Sequence, residues 1–161
     1  MKKNYLFPHK FKTIGWIILI PTLVTGIVFF GTEPSFLDFQ VWSLFGDGLA
    51  ILSKPKSGYY FTLIEDNIFN EIIGIVLIVS SVFVGFSKEI NEDEYITTLR
   101  LKSLTRAVYI NYGFLLLSFF IFYGLNFAWF AIFNIFTFLL IFIAIFNFNL
   151  WKFKKSAENE E

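Results

Sequence analysis

Long apolar runs alternate with short polar breaks along the 161 residues, and this pattern organises the chain. Four runs stand out, at residues 14–31, 68–87, 107–125 and 127–148. Together they hold about half the chain and a single formal charge, Glu71. A bilayer hydrocarbon core of roughly 30 Å needs about 20 helical residues to cross it. In hydrocarbon the backbone must satisfy its own hydrogen bonds, so runs of 18 to 22 residues predict four transmembrane helices. The break Tyr123-Gly124-Leu125-Asn126 is so short that the third and fourth helices must form an antiparallel hairpin. The expected fold is one all-α membrane domain over 1–161, with four transmembrane helices in two antiparallel hairpins.

Two polar segments interrupt the runs. The first, 32–67, contains apolar stretches of five to seven residues broken by Gly46-Asp47-Gly48 and by Lys54-Pro55-Lys56-Ser57-Gly58. That grammar predicts a three-stranded β-meander over 39–64. An interfacial or re-entrant helix over 36–52 is the rival reading, because short apolar runs suit either element. The second segment, 88–106, contains no Gly or Pro. Asn91 with Glu94 has the spacing of a helix N-cap and its capping-box partner. Acidic Glu92, Asp93 and Glu94 precede basic Arg100, Lys102 and Arg106, as the helix macrodipole favours. One helix from about 92 to 123, extending the third span into water, is expected. Residues 149–161 form a basic, then acidic, tail.

Charge orients the scheme. If the N-terminal segment is cytoplasmic, eleven of the thirteen basic residues lie inside and only Lys54 and Lys56 outside. The positive-inside rule therefore predicts both termini in the cytoplasm, segment 32–67 outside and 88–106 inside. Lys2, Lys3, Lys10 and Lys12 precede the first run, but no small-x-small cleavage site follows it. It reads as a retained signal-anchor in a cytoplasmic (inner) membrane. Pro21 removes one backbone donor within that helix, and Thr22 or Thr25 can compensate.

Composition agrees: 56% of residues are apolar, 16% charged, and the mean hydropathy is +0.64. This excludes a soluble enzyme, a nucleic-acid-binding domain and a secreted disulfide scaffold. There is no cysteine and one histidine, His9. No metal site of the usual kinds, cofactor motif or catalytic constellation is legible, and the chain reads as a non-enzyme.

Three polar sets remain as candidate chemistry. Glu65, Asp66, Asn67, Asn70 and Glu71 would lie on a helix entering the second span, with Asp66/Asn70 and Asn67/Glu71 as i,i+4 neighbours. They suit a cation or basic peptide, or merely cap the helix while Glu71 marks the interface. Asn111 with Ser118, and Asn134 with Ala131, Thr137 and Ala144, share faces on the third and fourth spans. Amides of this kind bind helices together, or else line a polar path. Arg100, Lys102 and Arg106 face phosphates or a protein partner, or only obey the charge rule.

The stretches KNYLFPHKFKTIGW (3–16) and FSKEINEDEYITTLRLKSLTRAVYINYG (86–113) resemble a group of small, uncharacterised four-span membrane proteins of Bacteroidota. The resemblance implies a cytoplasmic-membrane setting and carries over no activity, cofactor or catalytic residue. The function these observations favour is a non-catalytic interaction, accessory or regulatory subunit. It would meet lipid, and a membrane or cytoplasmic protein through 88–106, as a monomer or homo-oligomer. A small oligomeric transporter or channel, with Glu71, Asn111 and Asn134 along its path, is the alternative.

Overall fold

The computed structural model describes residues 5–29, 37–43 and 62–158. In chain order the elements are α1 (His9–Val28), β1 (Asp38–Ser43), β2 (Thr62–Asn67), α2 (Phe69–Phe86), α3 (Glu94–Ile121) and α4 (Leu125–Glu158). All four helices are long and apolar enough to cross a membrane, the make-up of a multi-pass membrane protein. The described residues fall into two compact units, one of 5–23 and 75–158, the other of 24–29, 37–43 and 62–74.

In the larger unit, α3 and α4 form the expected hairpin. Gly124, with φ of 63°, makes the turn in a left-handed conformation that residues with a Cβ rarely adopt. The antiparallel order is read from its pairs: Asn111 meets Asn134, Ser103 meets Asn149, and Tyr95 stacks on Phe153. At 1.5 Å per residue, 28 and 34 residues give helices of about 42 and 51 Å, longer than a bilayer core. Both therefore carry a stretch beyond the hydrocarbon.

The core is built from Leu19, Leu77, Val84, Ile96, Ala107, Phe142, Ile143, Phe146 and Leu150. Two glycines allow its helices to approach. A Cβ on Gly15 would lie 2.9 Å from Val84 Cγ2 and 3.0 Å from the Ser80 carbonyl oxygen. One on Gly85 would lie 2.7 Å from Phe142 Cε1. Small residues bring membrane helices together because lipid tails supply no hydrophobic drive between them. Around Pro21 the helix continues, and the Thr22 hydroxyl donates to the Ile18 carbonyl at 2.7 Å.

Helix α3 starts at Glu94 and is capped by Asp93, not by Asn91 as the spacing suggested. Asp93 has extended backbone, and its carboxylate accepts the Ile96 N–H at 2.6 Å. Asn91 lies in the preceding turn. Both residues match the N-cap preference, and Asp93 is the one whose carboxylate reaches an N–H of the first turn.

In the smaller unit, β1 and β2 pair antiparallel from Asp38↔Asn67 to Ser43↔Thr62. The three-stranded meander needs correction here. Among the described residues its first and third runs pair with each other directly, as a two-stranded sheet. The proposed middle strand, 49–53, lies outside the described residues, as does most of 36–52. The part of the rival helix that is described, 38–43, is strand.

Candidate functional site

The connection between α2 and α3 gathers a polar cluster inside the larger unit. The lead-in to α1 runs alongside it: the Phe7 N–H donates to the Phe86 carbonyl at 3.0 Å, and the Lys88 N–H to the Phe7 carbonyl at 2.9 Å. One turn on, His9 Nδ1 lies 2.9 Å from the Lys88 carbonyl oxygen, so that nitrogen carries the bonding proton. Lys12, a further three residues along α1, forms an ion pair with the buried Glu89. Phe7 and Phe11 each meet Phe83 edge to face over this seam, with centroids 5.2 and 5.0 Å apart, and tilt against each other at 5.7 Å.

Arg100 sits beside this seam. It points inward from α3, only 6% exposed, and gives two charge-assisted hydrogen bonds to Glu92, at 2.7 and 3.0 Å. It also donates to the Ser87 carbonyl at 3.1 Å and stacks over the Phe146 ring, 4.9 Å from its centroid. The Glu92 carboxylate further accepts the Glu89 N–H at 2.8 Å and the Thr97 hydroxyl at 3.3 Å. Burial alone would push its pKa up. The hydrogen bonds from Arg100 and from the Glu89 N–H, with the charge of Arg100 and the Thr97 hydroxyl, outweigh burial and hold it below the usual carboxylate range. A carboxylate whose two oxygens accept four such bonds is a lock rather than a base. Arg100, expected to face a partner, is thus committed inside the protein. Lys102 and Arg106 remain on the exposed side of α3 and pair with no described residue.

Deeper in the hairpin, Asn111 and Asn134 exchange two amide hydrogen bonds, at 2.9 and 3.2 Å, both side chains being buried. Each amide uses its oxygen and one N–H on the other. That is the interhelical joint the sequence suggested. Ser118 shares this face but turns its hydroxyl back to the Leu115 carbonyl at 2.6 Å. Thr137 likewise bonds the Phe133 carbonyl at 3.0 Å.

The acidic set in the smaller unit is arranged differently from expectation. Glu65, Asp66 and Asn67 belong to β2, not to a helix, so Asp66/Asn70 and Asn67/Glu71 are not neighbours on one helical face. The strand runs this far because Asn67 ends it. Its amide donates to Asp38 on β1 at 2.6 Å while its oxygen accepts the Phe69 N–H at 3.0 Å, closing the ladder and capping α2. Asp66 accepts the Asn67 N–H at 2.9 Å, and Glu65 accepts from Gln40 at 3.4 Å. Asn70 and Glu71 occupy the exposed first turn of α2.

The residues missed from the sequence are Lys12, Glu89, Ser87 and His9. Lys12 and Glu89 lie 77 positions apart, beyond the reach of any local spacing rule. Among the described residues no group of three or more His, Asp or Glu is placed to hold a metal ion. No known protein family, curated protein or solved structure matches this chain.

Proposed function

We propose that the chain is a non-catalytic subunit of a cytoplasmic membrane that docks a protein partner through the exposed side of 88–106. This orientation follows the charge rule, with both termini and 88–106 inside. The observation that carries the reading is apolar surface left uncovered where water is expected. Ile90 is 79% exposed, Leu101 65% and Tyr95 52%, all beyond the apolar run that begins at 107. A shallow cleft of about 240 Å³ between Glu94, Tyr95, Thr98, Leu99 and Lys102 lies on this same side. The locked interior supports a scaffold: Arg100, Glu92, Lys12, Glu89, Asn111 and Asn134 hold one another. A polar path through Asn111 and Asn134 gains no support from a pair closed on itself.

The test is a pull-down of the tagged protein in gentle detergent, with cross-linking through Lys88 or Lys102 and mass spectrometry. A stoichiometric partner should be captured by the wild type and lost in Ile90→Glu with Leu101→Glu, while membrane insertion is unchanged. Equal capture by the double variant would sink the reading. Arg100 is unsuited to such a test, because its replacement would break the buried cluster.

A further inference from the structure

The side of α3 opposite its buried face carries a second pattern. Ile96, Arg100, Ser103, Ala107, Asn111 and Ser118 point inward. Lys102, Arg106, Tyr109, Gly113, Leu116 and Phe120, spaced alternately four and three apart, form one stripe on the other side. Its apolar members are open: Tyr109 is 75% exposed, Leu116 63% and Phe120 78%. At Gly113 the stripe has a notch, since a Cβ there would meet nothing within 4 Å.

We infer that this stripe holds one anionic glycerophospholipid, its phosphate between Lys102 and Arg106 and an acyl chain along Tyr109, Gly113, Leu116 and Phe120. Charge complementarity selects the occupant. Neither cation is paired with a described residue, and Glu94 lines the same cleft as Lys102. Arg106 is the last charge before the apolar run 107–125, where the phosphate plane of a leaflet should lie. From Arg106 to Phe120 the helix rises about 21 Å, enough to accompany one acyl chain through its half of a roughly 30 Å core. A free phosphate would have no use for the apolar length of the stripe. The tyrosine belongs at headgroup level, its ring in the apolar region and its hydroxyl toward water. This site shares Lys102 with the cleft of the protein-docking reading, but it does not involve Ile90, Tyr95 or Leu101, on whose exposure that reading rests.

The experiment is native mass spectrometry of the detergent-purified full chain, with thermal unfolding, during titration with phosphatidylglycerol or phosphatidylcholine. Wild type should retain one phosphatidylglycerol and gain Tm with its concentration, with phosphatidylcholine much weaker. Lys102→Gln with Arg106→Gln should weaken phosphatidylglycerol retention roughly 10- to 30-fold, the loss of two phosphate contacts. Its Tm without lipid should match wild type, since both side chains are exposed and unpaired. Gly113→Leu, which fills the notch, should also release the lipid. A control that removes the same charge elsewhere, Lys152→Gln with Lys154→Gln, and the docking variant Ile90→Glu with Leu101→Glu should both retain it. Equal retention of the two lipids, or undiminished retention in Lys102→Gln with Arg106→Gln, overturns the site. So does a protein that cross-links through Lys102 and excludes phosphatidylglycerol.

Discussion

Asn111 and Asn134 illustrate how a single pair of side chains acts in this fold. Replacing either by Leu leaves the other amide unpaired between helices, which costs about 1–2 kcal/mol in membrane proteins. Replacing both should cost less than the sum of the singles, because no amide is then stranded. Reversible unfolding in mixed micelles, run as a double-mutant cycle, reads the difference directly. Glu92 supplies a pH-dependent counterpart. Its carboxyl is held below the usual range, so its contribution to stability is complete above the unfolded value and vanishes as pH falls through the folded one. Wild type should therefore lose Tm on acidification from pH ~7 to pH ~3, and Glu92→Gln should show a flatter profile at a lower starting Tm. The asparagines were legible in the sequence because an amide in an apolar run has few uses. Arg100 was not, because an arginine just outside such a run looks the same whether it faces water or a buried carboxylate.

At the scale of elements, helices were easier to place than their ends or their partners. Spans predicted from apolar length differ from α1 to α4 mainly by polar extensions: α1 begins at His9 rather than 14, and α4 continues to Glu158. Those extensions mix lysines with apolar residues that pack, such as Phe11, Leu150 and Phe153, so average hydropathy does not register them. The start of α3 is a sharper case. Asp93→Ala should lower stability by about 1 kcal/mol, whereas Asn91→Ala should change it little. Thermal unfolding of the two variants separates the observed cap from the one that spacing suggested. The sheet shows the opposite difficulty. A meander pairs each apolar run with the next, whereas the ladder joins the first run to the third and ends in a polar contact, Asn67 to Asp38, that no apolar pattern signals.

Across the whole molecule, stability depends on contacts between segments far apart in the chain. The pairing of Lys12 with Glu89 is the clearest, both side chains being largely shielded from water. Lys12→Ala strands a buried carboxylate, at a cost on the order of 3 kcal/mol. Adding Glu89→Gln to it should recover much of that loss, as equilibrium unfolding of the single and double variants will show. A merely superficial ion pair would give a small effect in the single variant and no recovery in the double.

That same pairing imposes an order in time. With its members 77 positions apart, Lys12 is synthesised well before Glu89. At 5 to 20 residues per second, it waits about 4 to 15 seconds. Until then Lys12 lacks the carboxylate that neutralises it in the folded protein. Once Glu89 arrives, the charge is neutralised and withdrawn from water. The pair therefore closes only after the second helix has been made, which places it among the late contacts of folding.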